Sequence, residues 1–224
     1  VTAPSCAELL RPGLLEGVSI MLASTGAAPA PGSAAPFGES LRAAVAESAR
    51  ALSARLRECP LPVEEEALAQ RLAEEGAPDM LVVDAAGVFA GETEPRAALR
   101  RTMQMTWEVT RVTAGALIEQ ERPGRIVLLA PPVSSRPPDD RSHARATRAG
   151  LENLARTVSI EWSRYGITTV AIAPAPGTFA QTLAALCAYL ASPAGSYFSG
   201  CLLALDGPEP AMAPPSGTGA GDPL

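Results

Sequence analysis

Short apolar runs alternate along this chain with stretches whose apolar residues recur at helical spacing. The clearest case lies between Gly124 and Gly207. Ile126 to Leu129 is an apolar run bounded by Gly124 and by Pro131-Pro132, which predicts a buried strand. Ala149 to Arg164 follows, with Leu151, Leu154, Val158 and Trp162 recurring on one helical face. Ile167 to Ala173 and Cys201 to Leu205 read as further strands, and Ala180 to Ala191 as the helix between them. Upstream, Leu14 to Leu22 predicts a strand and Glu39 to Arg57 an amphipathic helix carrying Leu41, Val45, Ala49, Leu52 and Leu56 inward. A strand at Leu56 to Leu61, a helix at Val63 to Glu75, a strand and turn at Asp79 to Gly87 and a long helix at Thr93 to Gln120 complete the pattern. Strands and helices in alternation bury their apolar faces most economically as a parallel sheet covered by helices on both sides.

Composition narrows the chemistry more than the fold. A chain of 224 residues suits one domain, read here as residues 1–207, followed by a Pro/Gly-rich tail at 208–224 that lacks periodicity and is expected to be disordered. The net charge of −6 gives no reason to expect nucleic acid or an anionic membrane as partner. All 18 basic residues are arginine, so a Schiff base, a lysine general acid and a lysine phosphate clamp are excluded. His143 is the one histidine, which excludes a histidine-rich metal site. Cys6, Cys59, Cys187 and Cys201 show no paired spacing and read as free thiols, buried where the pattern is apolar. With no signal peptide and no run of about 18 apolar residues, the chain reads as soluble and cytoplasmic.

The order of motifs resembles the short-chain dehydrogenase/reductase family. Ala149-Gly150-Leu151, Glu161 to Ile167, Ala173-Pro174, Tyr197 to Gly200 and Leu205-Asp206-Gly207 match that family's A-G-L, E-x-x-x-Y-G-I, strand-into-proline turn and terminal D-G strand, in order. The resemblance implies a Rossmann-like, doubly wound parallel sheet. It also implies two departures: the second-strand region is shortened, and the substrate lid is missing because Pro176-Gly177-Thr178 run almost directly into the helix at Ala180.

The same resemblance locates the positions where the family's chemistry would sit. Arg148 stands in place of the lysine, Ala144 in place of the tyrosine, Pro131 in place of the serine and Met103 in place of the asparagine. Alanine has no proton to give, proline no hydroxyl, and a guanidinium does not titrate near neutrality. The glycine-rich turn that would cradle a pyrophosphate is replaced by Ala23 to Pro36, where Gly26, Gly32 and Gly38 lie six apart with prolines between them. Gly26 or Gly32 could still form an anion nest, but a flexible Pro/Ala loop is the simpler reading. Asp84 stands where the family has asparagine and reads as a hydrogen-bonded turn acid, not a base. His143, helped by Ser134 or Ser135, is the alternative proton donor; Tyr165 and Tyr189 lie too far along their helices to serve. Catalytic, cofactor-binding and metal-binding residues are therefore expected to be absent from this chain.

What the resemblance leaves is surface. It implies assembly through the helices at 96–120 and 149–164, and through the helix and strand at 180–205, with Arg100, Arg101, Trp107, Arg111 and Trp162 as interface-prone side chains. The expected function is that of a non-catalytic subunit which assembles with and stabilises an active paralogue. NAD or NADP would then be bound in the partner, and the complex would act as an alcohol/ketone, hydroxyacyl-CoA or ketoacyl oxidoreductase. The alternatives are a divergent NAD(P)-dependent oxidoreductase and a ligand-sensing regulator on an emptied Rossmann fold.

Overall fold

The computed structural model describes residues 10–25, 38–133 and 138–205. Its strands are β1 (Ser19–Ser24), β2 (Arg55–Pro60), β3 (Met80–Val83), β4 (Gly124–Leu129), β5 (Ile167–Ala173) and β6 (Cys201–Ala204). All pair in parallel, in the order β2-β1-β3-β4-β5-β6. The helices are α1 (Glu39–Ala51), α2 (Glu65–Glu75), α3 (Ala85–Ala90), α4 (Pro95–Glu119), α5 (Pro138–Glu161) and α6 (Ala180–Ala191). This is the Rossmann-like doubly wound fold that the alternating pattern predicts.

The two-residue period of a strand divides the core into two layers. Met21, Leu81, Val83, Ile126 and Leu128 point to one face, where Leu68 and Leu72 of α2, Val109 and Leu117 of α4, and Leu151 and Ala155 of α5 meet them. Ile20, Leu22, Met80, Val82, Val127 and Leu129 point to the other, against Leu41 and Val45 of α1 and Leu183, Ala184 and Leu190 of α6. Side chains buried on both faces explain why these strands read as continuous apolar runs, not alternating ones.

The shortened region takes a definite form. Residues 52–54 lead from α1 straight into β2, which pairs directly with β1 (Ser19 with Arg55 through Ser24 with Pro60) and ends the sheet. Between β5 and α6 there is only the loop 174–179, so the segment that would form a lid is absent.

Several boundaries differ from the sequence reading. β1 begins at Ser19, not Leu14, because residues 12–17 form turns that include Gly13 and Gly17 at positive φ. α1 stops at Ala51, not Arg57, because Leu52 and Ser53 turn the chain into β2; Ser53 has φ 65°. The turn after β3 is a helix, α3, capped by Asp84. α5 begins at Pro138, eleven residues before the predicted start, through a charged stretch in which Ala144 and Thr147 are buried. Its register reverts to a 3-10 turn at Ser163–Tyr165, and Gly166 ends it in the left-handed conformation at φ 72°. Cys59 and Cys187 are buried and Cys201 half-buried, all three free; Cys6 lies outside the described residues.

Candidate functional site

Open parallel sheets bind ligands beyond the carboxyl ends of their strands, where the strand order reverses. Here that place is the carboxyl end of β1 and β3, and its centre is Asp84. The sequence Asp84-Ala85-Ala86-Gly87 is an N-cap signature: a short acceptor side chain followed by small residues that let the helix begin at once. Asp84 Oδ1 accepts from Gly87 N–H at 2.8 Å. Oδ2 accepts from Gly38 N–H, also at 2.8 Å, so the same carboxylate holds the residue that caps α1. The side chain is fully buried, and desolvation raises its pKa against the lowering effect of these two N–H donors. The sequence reading of a hydrogen-bonded turn acid describes the Gly87 contact; the Gly38 contact, 46 residues away, has no sequence signal. Gly26, Gly32 and the rest of residues 26–37 lie outside the described residues.

The positions matched to the family's catalytic set lie on α4, on α5 and just past β4. Ala144 on α5 is fully buried in a cluster with Phe89 of α3 and Ala98 of α4. Phe89 is itself fully buried, so an aromatic ring from the neighbouring helix fills the space next to Ala144. Met103 of α4 lies over α5 at Gly150: a Cβ there would meet its Sδ at 3.0 Å. Pro131 is buried at the end of β4, and Arg148 is half-buried on α5. A thioether, a methyl group and a pyrrolidine thus occupy these places, and none exchanges a proton.

His143 is half-buried on α5, and its carbonyl accepts from Thr147 Oγ1 at 2.8 Å. The carboxyl of Glu94 is held below its usual range by the N–H groups of Arg96 and Ala97 and, less strongly, by the charge of His143. Glu94 is the exposed cap of α4. Ser134 and Ser135, its suggested helpers, lie outside the described residues. Tyr165 packs against the core layer shared with α2, α4 and α5, with Arg164 over its ring, and Tyr189 stacks edge-on against Phe198, both away from Ala144 in the contacts they make. Among the described residues, no three His, Cys, Asp or Glu side chains gather as a metal site, and no helix is long and apolar enough to cross a membrane.

Of the interface-prone side chains, Trp107 is 41% exposed, and Trp162 is half-buried and packs against the core. Arg101 pairs with Glu92 at 2.8 Å, Arg111 pairs with Glu65, and Arg100 is exposed.

No family model matches the chain. A probable 2,4-dienoyl-CoA reductase of Bacillus subtilis (strain 168) is 29% identical over 165 residues, which make up 58% of this chain and span 65% of that protein's length. Among solved structures, a short-chain dehydrogenase from Mycobacterium smegmatis superposes with a TM-score of 0.68 at 20% identity, covering 91% of this chain and 99% of its own. BdcA in complex with NADPH superposes with a TM-score of 0.61 at 16% identity, over 87% of this chain and 95% of its own.

Proposed function

We propose that the chain is a non-catalytic member of the short-chain dehydrogenase/reductase family of oxidoreductases, a subunit that assembles with and stabilises a catalytically complete paralogue; its likeness to a named reductase and to solved short-chain dehydrogenases supports the family. The observation that carries this reading is the packing around Ala144. Where a proton donor would have to face a substrate carbonyl, a fully buried methyl group is pressed by a fully buried Phe89. A donor missing from an open cleft could be supplied by water; this position has no room for one.

The nicotinamide dinucleotide that the family implies does not fit the described residues well. Its pyrophosphate needs free N–H donors at a helix N-terminus. The Gly38 N–H at the head of α1 is already taken by Asp84. Arg148 supplies charge, but not the compact ammonium on which the family relies. NAD or NADP therefore belongs to the partner, and no step of hydride transfer runs through this chain.

In the complex, the partner performs alcohol/ketone chemistry, with hydroxyacyl or ketoacyl compounds as the substrate class. This chain contributes folded surface: α4 and α5 on one side, α6 and β6 on the other. Co-expression with a complete paralogue from the same source tests the assignment. A stable complex whose partner melts higher than it does alone supports it; failure to associate, with both chains folded, removes it.

A second reading keeps activity in the chain itself, because its Bacillus relative is named a reductase. That reading requires dinucleotide binding by the isolated protein, which the first does not.

A further inference from the structure

The shortened region of the sheet leaves a free edge. β2 pairs with β1 on one side and, among the described residues, with no strand on the other. The backbone groups of successive residues in a strand point alternately to its two sides. Arg55 N–H donates to the Val18 carbonyl at 2.8 Å, and Leu61 N–H, just past β2, to that of Ser24 at 2.9 Å. The odd-numbered residues of β2 therefore bond to β1, and the even-numbered ones turn outward. Leu56 and Glu58 each offer an N–H and a carbonyl there, and Pro60 a carbonyl alone. Proline at the last outward position ends the row of donors, as is common on edge strands.

The side chains along this edge are rich in positive charge, although the chain as a whole stands at −6. Arg55 and Arg57 share a face of β2 with Cys59, which packs in the layer covered by α2. Arg71 of α2 reaches the same layer, its Nη2 3.9 Å from Met21 Sδ. Arg57 Nη1 donates to the Gly76 carbonyl at 2.7 Å and meets Glu75 at 3.5 Å, while its buried Nε has no partner. Burial chiefly, with smaller contributions from the charges of Arg55 and Arg71, lowers the pKa of Arg57 against the opposing effect of Glu75. Three guanidinium groups thus gather around one carboxylate. Glu58, on the other face, is paired with Arg42 at 3.6 Å.

The same residues oppose pairing with a second copy. A two-fold antiparallel ladder on this edge has its centre at Leu56, Arg57 or Glu58, because outward residues must meet each other. The first sets Arg55 opposite Arg57, the second Arg57 opposite itself, and the third Glu58 opposite itself. Like charges directly opposite destabilise a sheet. We infer that the β2 edge takes up an extended acidic segment of another protein as an added strand. Leu56, Glu58 and Pro60 supply the ladder, and Arg55, Arg57 and Arg71 meet carboxylates on alternate residues of the segment. The edge lies at the opposite end of the sheet from β6, and the inference is independent of the function proposed above.

Fluorescence anisotropy of a labelled hexapeptide of alternating glutamate and valine, titrated with the full chain, tests it. Saturable binding is expected, and R55E and R71E should each weaken it by roughly tenfold or more. Two further peptides carry N-methyl groups, one on its glutamate amides and one on its valine amides. An added strand turns only one of those sets toward β2, so one peptide loses roughly tenfold or more in affinity and the other does not. No saturable binding, equal affinity of the two methylated peptides, or unchanged affinity in R55E overturns the inference. So does equally tight binding of a lysine–valine peptide. Circular dichroism confirms folding; should R71E fail to fold, the exposed Arg55 carries the charge test alone.

Discussion

Asp84 carries a carboxylate into a fully buried position with two backbone N–H groups as its partners. Removing it in Asp84→Ala leaves both donors unpaired and should cost about 2 kcal/mol or more in urea unfolding. The cost should also depend on pH. Burial raises the folded pKa above the ordinary 3.8, so the contribution from titration is complete below that value and is lost as pH rises through the folded pKa. The advantage of wild type over Asp84→Ala is therefore greatest in acid and shrinks toward neutrality; a flat difference contradicts the assignment. Ala144 offers a second residue-scale test. Ala144→Tyr restores the family's donor in name, but the ring must displace Phe89 and Ala98. It should destabilise the chain by about 2 kcal/mol or more and produce no reductase activity. Counting positions from Ala149-Gly150 was enough to find Ala144. Nothing in the spacing announces that Phe89 fills the space beside it, since that contact joins helices 55 residues apart in sequence.

α4 is the element whose two faces differ most. Its outer face is a charged stripe around Gln104. Its inner face carries Thr102, Thr106, Thr110 and Thr113, all fully buried, with no hydrogen-bond partner at any of the four hydroxyls. Threonine and valine have the same shape and nearly the same helix propensity, so exchanging them isolates the buried hydroxyl. Thr106→Val and Thr113→Val should each raise stability by about 1 kcal/mol, read as a shift in the urea midpoint at constant slope. A loss of stability would mean that the hydroxyls have partners. The strands were legible because a parallel sheet buried on both faces demands unbroken apolar runs, as in Met80–Val83 and Ile167–Ala173. Helix ends were less so. α3 is too short to show a period, and the first half of α5 buries Ala144 and Thr147, residues that a hydrophobic pattern does not mark.

At the scale of the molecule, the described residues form the full sheet order and both layers, with only a short loop between β5 and α6. β2 ends the sheet directly beside β1, and the loop 174–179 passes to α6 without a lid. Such a framework can still present α4, α5, α6 and β6 to other chains. The loss of the lid and the shortening of the sheet were readable as missing length; the seating of Asp84 at the head of α1 was not, because it depends on how two distant turns meet. Calorimetric titration of the isolated, folded chain with NADH and with NADPH tests the central claim most directly. The account predicts no binding heat at tens of micromolar and no hydride transfer to a carbonyl substrate, whereas stoichiometric micromolar binding followed by turnover would contradict it.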